Sequence, residues 1–372
     1  MRVYLFACIE KNIGDDLFIK LLCERYPHID FVISEHARYG SLEKIPNLHF
    51  SKNMSKWIWV TLLNPRNPIK KAIAMLLRAY YSLRLPKCEV AVSIVGNAFK
   101  NMDYTGWEQS RWIRSRIKLA KRFYLISTNF GPYQDEGWKT DFERIFSQMA
   151  DVCFRDEYSH GLFKHLPNAR FAPDAVISLG EQKKDDSDEK RVIISLVDCT
   201  FAARSEELHK AADTYEEKMV EVAKKFLSEG YKVTFLNSNT VQDRPACDRI
   251  LCKLDSPDVD TLDYDGDLDE VFELYRKSSA VVATRLHTIV LAWLYRLPVV
   301  PIVYDIKVGN LLDSNNFTCD RYDIERLDGI TGDDIFNSMG KFDFVLPSEI
   351  IDASKLQFKE IDKEFQVSEI KK

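Results

Sequence analysis

The strongest constraint on this chain is a pattern that runs through it twice: short apolar strands separated by longer amphipathic stretches. In the first half, residues 3–8, 31–33, 90–95, 123–127 and 152–154 read as buried strands, with helical patterns such as 16–25 and 107–121 between them. The pattern restarts at RVIISLVD, 191–198. An amphipathic region then ends at Gly230, a glycine suited to a helix C-terminus. The strand YKVTFLN follows, and the helix 267–278 begins with acids and ends in Arg-Lys, as its dipole prefers. Strands 280–283 and 299–303 each lead into a helix, from about Arg285 and from about Lys307. Strand–helix alternation requires parallel sheets covered by helices. The expected fold class is therefore α/β, with two Rossmann-like domains and a cleft between them. The expected domains are 1–180 and 191–372, joined by the polar linker EQKKDDSDEK, 181–190. The acidic tail beyond about 320 is carried with the second domain.

Length supports the division, because 372 residues exceed what one core comfortably serves. The net charge of −5 conceals an asymmetry: residues 1–180 carry +8 and residues 181–372 carry −13, so the halves are expected to face different partners. No apolar run approaches the roughly 20 residues of a membrane span. The opening MRVYLFACIEKNIGDD reads as a strand and a polar turn rather than a secretion leader. A cytoplasmic location is expected. Eight scattered cysteines without a CxxC pair read as reduced thiols and indicate neither a disulfide framework nor a metal site.

Chemistry concentrates in VVATRLHTIVLAWLYRLPVVPIVYDIKVGNLL, 281–312. Arg285, His287, Asp305 and Lys307 interrupt an apolar sequence just past two strand ends, the edge at which open α/β sheets take ligands. Thr284 is positioned to cap the next helix, whose N-terminus suits an anion. Arg285 offers a planar fork of donors, and His287 a donor that also moves protons. The two reach one ligand only if Arg285 still belongs to the turn, since residues two apart do not share a helix face. The plainer alternative makes Arg285 and Lys307 surface cations and His287 a satisfied, half-buried ring.

This stretch resembles the C-terminal signature of the polysaccharide pyruvyl transferase family: Arg-x-His, an apolar helix, a Gly-x-Pro turn, a strand and Tyr-Asp-x-Lys. KNIGDDLFIKLL, 11–22, resembles the family's Gly-Asn-x-Gly-Asp turn. SIVGNAFKN resembles its glycine-rich second turn, STNFGPY its Gly-Pro loop, CFRDEYSHGLF its Arg-Asp-x-x-Ser element and APDAVISL its Pro-Asp element. Lys11 stands where the family has Gly, Gly96-Asn97 replaces a run of glycines, and Arg296-Leu297 precedes Pro298 in place of a small residue and glycine.

The resemblance implies a GT-B-like fold and transfer of pyruvyl from phosphoenolpyruvate to a sugar as a cyclic ketal, with no cofactor beyond that donor. On this reading Arg285 clamps phosphate, His287 donates to phosphate or acts as the acid, and Lys307 and Arg204 supply further positive charge. Asp15 or Asp16 holds or deprotonates a sugar hydroxyl, unless the pair simply caps a helix. Gly96 and Asn97 lie by the acceptor, unless Gly96, like Gly131-Pro132, simply makes a turn. Arg155 with Asp156, and Asp174, read as structural. A nucleotide-sugar glycosyltransferase on the same fold and a non-catalytic membrane-surface scaffold are the alternatives. The dinucleotide fingerprint is absent.

Residues 51–88 hold eight Lys or Arg, no acid, two Trp and two Tyr. Helical apolar spacing from about 68 to 83 makes this an amphipathic element suited to an anionic bilayer, unless it is an ordinary helix with a solvated basic face. Contact with the inner face of the cytoplasmic membrane would fit a lipid-linked acceptor. Nucleic acid does not suit so local a patch on an acidic protein.

Overall fold

The computed structural model describes residues 1–63, 67–96, 99–101, 106–185, 189–202 and 204–366. They form two compact units. Unit 1 comprises Met1–Glu10, Asp15–Ala175 and the described residues from Ala353; unit 2 comprises Lys11–Gly14 and Val176–Asp352.

Unit 1 contains β1 (Arg2–Ala7), β2 (Asp30–Ser34), β3 (Leu48–Ser51), β4 (Val90–Ile94), β5 (Phe99–Asn101), β6 (Arg122–Thr128), β7 (Phe130–Tyr133), β8 (Asp151–Phe154) and β9 (Ala169–Phe171). Seven of these make a parallel sheet in the order β3-β2-β1-β4-β6-β8-β9, with β5 and β7 paired separately. Unit 2 contains β10 (Arg191–Ser195), β11 (Lys232–Asn237), β12 (Val259–Asp263), β13 (Ala280–Ala283), β14 (Val299–Val303) and β15 (Tyr322–Asp323), ordered β12-β11-β10-β13-β14-β15. In both sheets the chain starts in the middle, adds strands to one side, then switches to the other. The switch falls between β1 and β4 in unit 1 and between β10 and β13 in unit 2, where Ser195 lies opposite Ala283. Each unit is thus a doubly wound, Rossmann-like fold.

Local chemistry explains the elements. Every residue of β4, β8 and β13 is buried, as expected of central parallel strands covered on both faces. Short polar side chains take the orphan N–H groups where helices begin: Asp156 accepts from Ser159 N, Ser205 from Leu208 N, Asn239 from Gln242 N and Asp305 from Lys307 N. In unit 1, Phe99, Phe130, Trp138, Phe142, Phe146, Phe154 and Phe163 form one aromatic core.

The acidic tail differs from its sequence reading, because from Ala353 it packs on unit 1. Tyr26 meets the edges of Phe358 and Phe365, with centroids 6.4 and 4.8 Å apart, and Asp362 pairs with Arg25 and the Tyr26 hydroxyl. The buried Gln357 amide accepts from Ser127 N and donates to the carbonyls of Phe154, Ala172 and Pro173.

Candidate active site

The carboxyl edge of the unit 2 sheet gathers Arg204, Arg285, His287, Tyr304 and Lys307. β13 ends at Ala283, and Arg285 occupies the N-cap of the helix Leu286–Leu294 with extended backbone angles and no side-chain cap bond. Arg285 therefore still belongs to the turn, while His287 sits in the first helical turn. Thr284 does not cap. Its hydroxyl lies 2.9 Å from that of Tyr215, because its side chain points into the unit's interior. Ser195 Oγ at the end of β10 instead accepts from Arg285 N at 3.3 Å and from Thr288 Oγ1 at 3.0 Å, holding the turn to the neighbouring strand.

The Arg285 guanidinium is nearly buried and paired with the fully buried Asp243. Nε donates to Asp243 Oδ2 at 3.1 Å and the second nitrogen donates to Oδ1. Burial works against the charge, but Asp243 outweighs it and holds the guanidinium more firmly protonated than usual. Asp243 and Gln242 lie in the first turn of the helix Thr240–Leu251, which follows β11. Gln242 Oε1 is approached by both Arg204 and Arg285, at 3.5 and 3.4 Å. Arg204 enters from the segment between β10 and the helix Glu206–Ser228; its Nε is buried with no acceptor among the described residues.

Tyr304 is the residue around which these charges collect. It follows β14, is buried, and has the Arg204 guanidinium and the Lys307 ammonium each 5.2 Å from its ring centroid. Burial alone would raise its pKa. The charges of Lys307 and Arg285, with help from Arg204, outweigh it and push the phenol down to about 8. Lys307 is the second residue of the helix Ile306–Ser314, 4.0 Å from Asp305. Among the described residues, three cations and two carboxylates thus gather beside a phenol.

His287 has a close neighbour in the turn of residues 11–14. Ile13 N donates to Ser238 O at 3.1 Å, and Gly14 N to Asn12 Oδ1 at 3.0 Å. A β-carbon on Gly14 would fall 1.8 Å from His287 Nδ1, so only glycine leaves the imidazole its place. Lys11 carries φ of +48° and Arg296 φ of +52°. The first stands where the resemblance gives glycine, and the second falls in the turn before Pro298 where it gives a small residue and glycine. The left-handed backbone persists there although the residue does not.

The remaining sequence candidates lie in unit 1. Asp16 is fully buried and accepts from Tyr39 Oη at 2.8 Å. Asp15 is half-buried beside Cys8, whose thiol is raised by burial and then by Asp15 and Glu10. Gly96 faces the Arg155 guanidinium, 2.8 Å from where its β-carbon would be, and Arg155 pairs with Asp174 at 2.9 Å and Asn129 Oδ1 at 3.0 Å. Gly96 thus makes room for a buried ion pair. Asn97 lies outside the described residues. Asp243, Gln242 and Tyr304 were missed from the sequence. Tyr304 stands inside the quoted Tyr-Asp-x-Lys and was signalled by that pattern; Asp243 sits in TVQDRPACDRIL, which has no clear apolar stripe and carries Pro245.

Two doubly wound units with cations at the carboxyl edge of the second define an α/β protein of two Rossmann-like folds. The family model for polysaccharide pyruvyl transferase matches residues 12–306, and the chain belongs to that family. No curated protein matches it. Among solved structures it is similar to the UDP-GlcNAc 2-epimerase of Methanocaldococcus jannaschii, solved with UDP-GlcNAc and UDP, at 10% identity and a TM-score of 0.56, covering 99% of this chain and 100% of that one. It is also similar to the UDP-GlcNAc 2-epimerase of Neisseria meningitidis, solved with UDP-GlcNAc, at 13% identity and a TM-score of 0.54, covering 99% and 100%. At these identities the likeness speaks for the fold alone, which is GT-B-like.

Proposed function

We propose that unit 2 binds phosphoenolpyruvate and that the protein transfers its pyruvyl group to a hexose of a surface polysaccharide intermediate, forming a cyclic ketal and releasing phosphate. The observation that carries this reading is the convergence of Arg204, Arg285 and Lys307 on Tyr304 at the carboxyl edge of the sheet. Phosphoenolpyruvate bears both a phosphate and a carboxylate, and needs clustered, directed donors rather than one cation.

The roles follow from position. Arg285, aimed by Asp243 and Gln242, clamps the phosphate; Arg204 and Lys307 neutralise the remaining charge, and the Tyr304 hydroxyl donates to an anionic oxygen. His287 delivers a proton to the methylene carbon, which makes the central carbon electrophilic. A sugar hydroxyl adds there and loses its proton, the C–O bond to phosphate breaks, and a second hydroxyl closes the ring with loss of its proton. The departing phosphate takes its bond pair to oxygen, where the cations stabilise it. Of the two acids in the first turn of the helix Ile13–Arg25, Asp15 serves the acceptor hydroxyl, since the Asp16 carboxylate is engaged by Tyr39 in the interior.

The acceptor is lipid-linked on this reading, and the helix Pro68–Ser82 is what supports it. None of its residues is buried. Ile69, Ile73, Leu76, Tyr80 and Leu83 recur at intervals of four and three along one exposed face, with Leu76 67% and Leu83 87% exposed. Lys70, Lys71 and Arg78 stand beside them. An anionic bilayer satisfies both features, each basic residue near its surface contributing about 1 kcal/mol. No helix among the described residues is long and apolar enough to cross a membrane. Lys70→Glu/Lys71→Glu/Arg78→Glu should abolish sedimentation with phosphatidylglycerol vesicles. Unchanged vesicle binding, or a salt-resistant dimer in its place, would remove this part of the reading.

Donor identity is tested by thermal stabilisation. Phosphoenolpyruvate should raise the Tm, and UDP- or ADP-sugars should not. The opposite pattern would favour a glycosyltransferase, and no response to either would favour a scaffold. Arg204→Gln and His287→Gln should fold and lose transfer. Arg285→Ala is a poorer test, because it strands Asp243 as an unpaired buried charge.

A further inference from the structure

The three buried arginines of the described residues are Arg116, Arg155 and Arg285. Arg155 is matched to Asp174 and Asn129, and Arg285 to Asp243. Arg116 has no such match among the described residues. It lies in the helix Gly106–Ile117 of unit 1, is 7% exposed, and makes no ion pair with any described carboxylate. Among the described residues its Nε is buried without an acceptor, and so is Nε1 of Trp112, one helical turn earlier. The two groups are adjacent, with the guanidinium carbon 4.0 Å from the Trp112 ring centroid and 4.8 Å from that of Phe6 in β1. Burial pushes the guanidinium pKa down to about 10, and the neighbouring Cys8 thiol offsets this only in part.

A buried cation with no counter-ion is among the costlier arrangements a fold can keep, and replacing it with an apolar side chain normally stabilises. Two neighbouring donors left without acceptors double the anomaly. Its place is informative. Phe6 belongs to β1, which with β4 forms the switch point of the unit 1 sheet. This site lies in unit 1 and uses none of the residues given roles above.

We propose that Arg116 and Trp112 form an oxyanion subsite of unit 1 that selects acceptors carrying a phosphate or carboxylate. The guanidinium pairs with one oxygen and the indole N–H donates to another, while the Trp112 and Phe6 rings keep the cation oriented. Calling the ligand an acceptor rests on the pyruvyl-transfer reading; the subsite itself does not.

The test follows the Trp112 indole N–H resonance, assigned with Trp112→Phe, as the full-length protein is titrated with inorganic pyrophosphate or glucuronate under saturating phosphoenolpyruvate. The resonance should move with one of the two, which also separates phosphate from carboxylate. Arg116→Met should melt no lower than the unaltered protein and bind that anion at least tenfold more weakly. Trp112→Phe, which keeps the ring packing, should bind it several-fold more weakly. With a lipid-linked acceptor, Arg116→Met should raise the acceptor KM and leave the phosphoenolpyruvate KM alone. An unmoved indole resonance with both anions, or undiminished anion affinity in Trp112→Phe, would overturn the proposal. So would an Arg116→Met protein that melts lower and binds anion normally. Because the resonance is read without turnover, failure of the pyruvyl-transfer reading leaves this result intact.

Discussion

Asp243→Asn separates the two jobs assigned to the charge cluster of unit 2. The carboxylate is fully buried and makes two contacts with a guanidinium whose side chain is only 11% exposed, so solvent screens the pair little. The amide keeps the shape and one acceptor but removes the charge. Arg285 is then left as an uncompensated interior cation beside Arg204 and Lys307. Breaking a buried pair from one side costs about 3–5 kcal/mol. For a folding unit of some 180 residues that lowers the Tm by about 6–20 °C. The same excess charge strengthens any bound anion. Asp243→Asn should therefore lose stability without ligand and recover much of it in millimolar phosphate, which should stabilise it by more than it stabilises the unaltered protein. Differential scanning calorimetry with and without phosphate measures both quantities. A variant that melts within about 1 °C of the parent, or gains no more from phosphate than the parent does, would refute the view that Asp243 aims and balances a phosphate clamp.

Three further outcomes follow from the same geometry. Tyr304 has a folded-state pKa of about 8, below its usual 10, so the fold favours the phenolate. Its contribution grows as pH rises through 8, is complete above about 10, and disappears as pH falls back through 8. That amounts to about 2–3 kcal/mol for two units. Since the phenolate competes with a bound anion for the same cations, phosphate affinity should fall above pH 8 in the unaltered protein and stay flatter in Tyr304→Phe. Titration calorimetry across that range checks it, and parallel profiles would contradict it. Gly14→Ala drives a methyl into the His287 ring and should displace it, costing about 1–3 kcal/mol and most of the transfer activity, as the imidazole's NMR signals and turnover would show. Lys11→Gly should keep or slightly raise the Tm, while the β-branched Lys11→Val should lower it, at a cost of about 1–2 kcal/mol of stability, because the backbone there is left-handed.

The sequence made the repeated strand–helix rhythm legible because strand burial and helix capping are local. Strands 280–283 and 299–303 coincide with β13 and β14, and Arg285 and Lys307 stand where those strands give way to helices. Illegible features were those fixed at a distance. Asp243 reaches Arg285 across 42 residues, and nothing in the local pattern of either announces the pair. The return of Gln357 and Asp362 to unit 1 depends on partners more than 180 residues away. Thr284 looked like a cap because its type and position suit one, yet the interior offered its hydroxyl Tyr215. Gly14 was readable as a turn residue, but the reason for it, an imidazole pressed against its α-carbon, was not.

The most direct test of the central claim is incubation with phosphoenolpyruvate and a lipid-linked glycan acceptor, followed by mass spectrometry of the glycan and assay of free phosphate. The account predicts a glycan heavier by pyruvate less one water, with one phosphate released per ketal and both products lost in His287→Gln. A glycan unchanged by phosphoenolpyruvate but extended by a hexose from a nucleotide sugar would contradict it.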